Sequence, residues 1–170
     1  MSSFKHIQKS QDTGESGERR FYDSCRAAGK DIKKTKKGDD MHRHTDFLVD
    51  GVPFDVKGLK QSQSEGRVIL EVLNVQGKMG WCNHKKKPEW IAFDFGGFFL
   101  CAKNEDLYDI TQDFCQLKDK VSNIKDSLYK GYTRKNRKDL MTTVLLHDVL
   151  EDCEHWFLPY KQYRAPMELL

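Results

Sequence analysis

The chain has 170 residues, 38% of them hydrophobic and 32% charged, with a formal net charge of +3, which suits one domain with a modest core over 1–170. Mean hydropathy is −0.74 and no apolar run nears the roughly 20 residues of a membrane-spanning helix. A membrane partner is therefore not expected, and the polar Met1–Gly14 segment lacks the apolar centre of a signal peptide.

The expected location is the cytoplasm, or a host cell's cytoplasm. Cys25, Cys82, Cys101, Cys115 and Cys153 are scattered and form no CxxC pair, as reduced thiols do in a reducing compartment. The positive charge is clustered, in Lys30–Lys37, His84–Lys87 and Lys130–Lys138. Local clusters matter more than net charge for phosphate contact. The candidate nucleic-acid contacts are Lys33, Lys34, Lys36, Lys37, Lys85, Lys86, Arg134, Lys135 and Arg137.

In chain order, residues 1–13 read as a flexible tail. A helix is predicted from about Glu15 to Ala28, with Phe21, Cys25 and Ala28 as its apolar stripe and Gly29 as its stop. Glu18 lies on or beside the buried side of that helix, where a carboxylate needs a partner; Glu15 is one turn earlier. Gly29–Arg43 reads as a basic loop. His44–Gly58 then reads as a β-hairpin about Asp50-Gly51, a dipeptide suited to a two-residue type I′ turn. That turn pairs Val49 with Val52, Asp46 with Asp55 and His44 with Lys57. Because side chains alternate faces, Asp46, Asp55, Lys57 and His44 share one face. Phe47, Val49, Phe54 and Val56 share the other.

Two carboxylates facing each other across a sheet repel, with Cβ atoms roughly 4.5–5.5 Å apart. A hard divalent cation with oxygen ligands fits between them. With Lys57 beside them, the set suits a reaction that develops charge on phosphate oxygens. The plainer reading is a solvated hairpin face on which Lys57 neutralises one aspartate.

Beyond the hairpin, Gly58–Gly66 is polar and turn-like. Arg67–Gln76 reads as a strand apolar on both faces and therefore central, with Glu71 pointing one way and Asn74 and Gln76 the other. A Gly-Trp loop holding Trp81 follows, with strands at Pro88–Phe95 and Phe98–Ala102 joined by Gly96-Gly97. A helix is predicted over Asn104–Tyr129, with a break allowed at Thr111-Gln112-Asp113. Then come a basic loop at Gly131–Lys138, a strand at Met141–Leu146 and a helix at Asp148–Trp156. The expected fold is α/β, a central mixed sheet of about five strands flanked by helices.

Asp46, followed by Asp55-Val56-Lys57 on the next strand, resembles the core signature of the PD-(D/E)XK nuclease superfamily, the restriction-endonuclease-like fold. Thr45 stands where that signature has proline. The order of elements after the hairpin is also similar. The resemblance implies a Mg²⁺-dependent endonuclease (Mn²⁺ as a substitute) that hydrolyses nucleic-acid phosphodiester bonds, with DNA preferred and structure-selective or weak specificity. It implies Asp46, Asp55 and the Val56 carbonyl as metal ligands, and Lys57 as the group that orients the water or stabilises developing charge. Glu18 and Gln76 support the site, with Glu15 and Glu71 as their substitutes. A likeness to Holliday-junction resolvases implies a homodimer.

The alternative of another class is a binding module on the same fold without catalysis, holding nucleic acid or a protein through its lysine clusters. An RNA-processing nuclease is a third reading. His42-x-His44 and Cys82-x-His84 lack the usual zinc spacings. No GxxxxGK[ST] or GxSxG sequence occurs.

Overall fold

The computed structural model describes residues 2–36, 44–85 and 87–161, with backbone alone for 2–13 and Glu15. Lys37 and Lys86 lie outside the described residues. Helix α1 spans Ser2–Ala27, so the segment expected as a tail is its first part. The Phe21 half docks on the sheet, and extending an existing helix into a Pro-free polar segment adds one hydrogen bond per residue.

The following elements are β1 (Ile32–Lys34), β2 (Phe47–Val49), β3 (Val52–Lys57), α2 (Gln61–Ser64), β4 (Arg67–Leu73), β5 (Trp90–Asp94), β6 (Phe98–Lys103) and α3 (Asn104–Asp113). They continue with β7 (Gln116–Val121), a 3-10 turn (Ile124–Asp126), β8 (Lys130–Tyr132), β9 (Leu140–Leu145), α4 (Leu146–Asp152) and β10 (His155–Pro159). The class is α/β, as expected. The sheet count is not: the described strands form a six-stranded sheet in the order β1-β2-β3-β5-β6-β10 and a four-stranded sheet in the order β4-β9-β8-β7.

The hairpin has the expected register, Phe47↔Phe54, Leu48↔Pro53 and Val49↔Val52. Asp50 and Gly51 both have positive φ, 49° and 80°, as a type I′ turn requires. The ladder ends at Phe47. His44 takes φ 60°, which lifts it out of the strand and away from a cross-strand pairing with Lys57.

Two cores follow from the alternation of side chains. One face of the six-stranded sheet holds Phe47, Val49, Phe54, Val56, Ala92, Phe99 and Cys101, packed with Phe21 and Cys25 of α1. Phe21 is fully buried, with ring centroids 5.8, 5.7 and 5.3 Å from those of Phe47, Phe54 and Phe99. The other face packs Ile91, Phe93, Leu100 and Ala102 against Val68 and Leu70 of β4, Val144 of β9, and residues of α3 and α4.

Helix α1 is also pinned at the end of β5. The fully buried Asp94 accepts from Arg20 Nη2 at 2.8 Å, from the Gly96 amide at 2.9 Å and from the Tyr160 hydroxyl. A Cβ on Gly17 would sit 3.4 Å from Gly58 Cα, so its lack of a side chain lets α1 lie close to the chain leaving β3.

Several expectations are corrected. The strand predicted over Arg67–Gln76 stops at Leu73 and lies at the edge of the second sheet, paired with β9. Its apolar residues serve two environments, Val68 and Leu70 in the core and Ile69 half-buried on the opposite side. The helix predicted over Asn104–Tyr129 ends at Asp113. There the Thr111 hydroxyl donates back to the Tyr108 carbonyl at 2.6 Å, a side-chain bond that competes with helix continuation, and the chain turns into β7. The basic Lys30–Lys37 segment contains β1 rather than only a loop, and the helix predicted to Trp156 gives way to β10, which pairs with β6.

Phe21→Ala should cost about 3–5 kcal/mol of stability. Urea unfolding of the variant checks this, and a loss below about 1 kcal/mol would show that α1 is not seated as described.

Candidate active site

Strand β3 carries Asp55 and Lys57 two residues apart, so both project from the face opposite α1. Val56 between them enters the α1 core. Asp46 lies one residue before β2. Its backbone amide donates to the Phe54 carbonyl at 2.9 Å, and its carbonyl accepts from the Thr35 amide at 3.1 Å. Its carboxylate Oδ2 accepts from the Val56 amide at 2.8 Å. So held, the Asp46 carboxyl meets that of Asp55 in a side-chain hydrogen bond. Lys57 Nζ lies 2.9 Å from Asp55 Oδ2 and 4.8 Å from the centre of the Trp81 ring. Three residues expected at the site, Asp46, Asp55 and Lys57, are thus brought together.

Trp81 is only 5% exposed and packs edge-on to Phe93, with ring centroids 6.0 Å apart. It does not offer a face for stacking on a base. It supports Lys57 through a cation–π contact. The loop that carries it is fixed by two buried asparagines: Asn83 Nδ2 donates to the carbonyls of Gly80 at 3.0 Å and Lys87 at 2.8 Å, and Asn104 Nδ2 donates to those of Trp81 at 2.7 Å and Pro88 at 2.8 Å. Sequence reasoning passed over both; an asparagine beside a Gly-Trp turn was the available signal.

The second sheet contributes Glu71. Gly80 packs directly on it, since a Cβ there would lie 2.4 Å from the Glu71 carbonyl oxygen. The Glu71 carboxylate feels the charges of Lys57, Arg134 and Lys60. Gln76, the first choice from sequence, is instead exposed in the turn after β4, where its amide bonds Asn74 Oδ1 at 3.0 Å. The strand ends before reaching it, so Glu71 is the residue of this strand that joins the charged cluster. Glu18 on α1 is half-buried, lies 3.8 Å from Lys34 Nζ, and is close enough for its charge to act on Asp46. The side chain of Glu15 is outside the described structure.

Three carboxyls, Asp46, Asp55 and Glu71, are pushed toward their neutral forms. Burial raises Asp55 to about 7; Lys57 opposes the shift and Asp46 adds to it. Burial also raises Asp46, against hydrogen bonds from Asp55 and the Val56 amide. It raises Glu71 as well, against the pull of Lys57, Arg134 and Lys60. Lys60 is exposed by surface area, yet its ammonium is held below its usual value, first by desolvation and next by Lys57. Acids and ammonium groups shifted together by burial and specific partners mark a functional-site candidate.

Of the expected basic contacts, Arg134 is the one tied to this cluster. Its Nε lies 2.6 Å from Oδ2 of the fully buried Asp139, and its amide donates to Asp139 Oδ1 at 2.9 Å. Lys135 and Arg137 are exposed on the same loop, and Lys85 is exposed on the Trp81 loop. Lys33, Lys34 and Lys36 are exposed on and after β1, with Lys34 beside a cavity of about 470 Å³ that Glu18 and Tyr22 also line. His147, Asp148 and Glu151 bring ligand atoms within 4.8 Å of one another, but on an open surface. No described helix is long and apolar enough to cross a membrane.

No family model, curated protein or solved structure matches this chain.

Without metal, the folded protein holds a proton on Asp55 between about pH 4 and pH 7 that the unfolded chain has released. A raised carboxyl pKa therefore makes stability fall as pH rises across that window. Asp55→Asn should raise the melting temperature at neutral pH in EDTA and flatten this dependence. Each kcal/mol recovered corresponds to roughly 2–4 °C in a chain of this size. Scanning calorimetry across the window checks it, and an unchanged or lower midpoint would contradict the burial argument.

Proposed function

We propose that the chain is a metal-dependent endonuclease that hydrolyses phosphodiester bonds of nucleic acid, DNA preferred, with structure-selective or weak sequence specificity. The observation that carries the reading is the Asp46–Asp55 carboxyl pair, Asp55 buried and Asp46 half-buried, with Lys57 Nζ 2.9 Å from Asp55. Holding two carboxyls together costs desolvation and repulsion that Lys57 and the Val56 amide offset only in part, since both carboxyls stay raised. The likeness of Asp46 and Asp55-Val56-Lys57 to the PD-(D/E)XK signature supports the same reading.

The donors fit Mg²⁺, with Mn²⁺ as a substitute: Asp46 and Asp55 are hard oxygen ligands, and burial disfavours their charged forms in the absence of a cation. Asp46 and Asp55 would hold the ion, with the Val56 carbonyl as a further oxygen donor, while Glu71 acts on the neighbouring cations Lys57, Arg134 and Lys60. Bound there, the ion supplies positive charge to the phosphate oxygens as the bond to phosphorus breaks.

The chain's own groups do the rest. The Val56 amide orients Asp46, and Trp81 holds the Lys57 ammonium at the rim of the pair. Lys57 then donates to the oxygen on which charge develops or orients the attacking water. Arg134, braced by Asp139, and Lys60 grip the flanking phosphates. Glu18 bears on Asp46 from the α1 side.

The test is cleavage of linear duplex, single strand, four-way junction and structured RNA, with Mg²⁺ or EDTA. Cutting should need the metal, and Asp55→Asn or Lys57→Ala should slow it at least about 100-fold. Glu71→Gln should slow it about tenfold or more, while Gln76→Ala should leave it unchanged. Tight binding with no cutting in any metal would reject catalysis and leave a nucleic-acid-binding module.

A further inference from the structure

Beside the acidic centre, α2 and the second sheet enclose a cleft of about 170 Å³. Its apolar part is Ile69 on β4 and Ile124 on the 3-10 turn; three of its lining residues, Lys60, Arg67 and Lys125, are cations, and Glu65 is an anion paired with Arg67. Between these runs a chain of hydrogen bonds that fixes the cleft's shape. Gln61 Nε2 donates to Glu65 Oε1 at 3.1 Å, Arg67 Nη2 lies 2.5 Å from Glu65 Oε2, and Arg67 Nη1 donates to the Lys125 carbonyl at 3.1 Å.

We propose that this cleft is a nucleotide subsite. It takes the base of one nucleotide of the strand crossing the Asp46/Asp55/Lys57 centre, with a phosphate of that nucleotide on Lys60 and Lys125. The proposal rests on the nuclease reading and deepens it. Three properties of the cleft select this ligand. Pockets for whole small molecules start at roughly 300 Å³, so a cleft of about 170 Å³ admits one planar ring system while the rest of the ligand stays outside. The isoleucines suit the flat faces of a base, and the exposed Gln61 amide suits its polar edge. Lys60 belongs to both sites: it lines the cleft, and its charge is coupled to Lys57, Glu71, Arg134 and Asp55. A strand seated on the centre therefore has a cationic path into the cleft.

The test uses the full chain in EDTA, so that binding is read without cutting. Isoleucine methyl NMR is followed during titration with each of the four deoxynucleoside monophosphates. The Ile69 and Ile124 methyls are expected to shift, and those of Ile91 and Ile110, in the core, to stay. Ile124→Trp should fill the cleft and abolish the shifts, and Lys125→Glu, at an exposed position, should weaken binding without touching the apolar lining.

Oligonucleotides with one abasic site, moved stepwise along the strand, supply a second readout. One position should weaken binding about fivefold or more, and Ile124→Trp should erase that dependence. Silent Ile69 and Ile124 methyls at saturating monophosphate, or equal affinity at every abasic position, would overturn the subsite. If Mg²⁺-dependent cutting is seen while the methyls stay silent, the subsite alone fails. If the methyls shift while no metal supports cutting, the subsite stands and the catalytic reading fails.

Discussion

The site depends on one unfavourable contact, a buried carboxyl group, that of Asp55, placed beside the half-buried carboxyl of Asp46. Asp46 cannot swing clear of Asp55, because its amide extends the β2–β3 ladder and its carboxylate is held by the Val56 amide. Asp55 does not reach solvent: it is only 5% exposed, on the face of β3 turned away from α1. Burial therefore favours a shared proton over two full charges. Under the proposed function a divalent cation would resolve the same conflict by taking the place of the proton.

The rest of the fold serves this pair from two sides. On one side α1 packs its Phe21 face under the hairpin and brings Glu18 toward Asp46. The Arg20–Asp94–Tyr160 network locks that helix at the end of the neighbouring parallel strand. On the other side the second sheet brings Glu71, and the loop after β8 brings Arg134. The Trp81 loop fills the space between the two sheets and supports the lysine. Asp55 is buried and Asp46, Glu71 and Glu18 are half-buried, while Lys60 and Arg134 are exposed. Lys57 belongs to both sets, since it is bound to Asp55 and still partly exposed.

The local part of this arrangement was legible in the sequence. Asp50-Gly51 determines a turn, the turn determines the register, and the register determines which residues share a face, so Asp46, Asp55 and Lys57 could be grouped from spacing alone. Phe21 and Cys25 marked the buried side of α1 for the same reason, since periodicity reports burial directly. What was not legible depended on partners distant in sequence. The short strands β1 and β10 owe their form to the edges they complete. Leu117 and Val121 recur at helical spacing but lie on β7, because the chain breaks after Asp113 and pairs with β8. Glu71 and Gln76 could not be separated by pattern. The choice turned on where β4 ends, and that is set by the turn at Asn74, whose side chain accepts from the amides of Gln76 and Lys78.

The central claim is that the Asp46–Asp55 pair is a cation site that holds a proton until the cation arrives. Calorimetric titration of the protein with Mg²⁺ near neutral pH, repeated in buffers of different ionisation enthalpy, tests it most directly. Binding that releases up to about one proton, and that Asp55→Asn abolishes along with the proton, is the expected result. Absence of binding, or binding that survives in Asp55→Asn with no proton released by either protein, would contradict the account.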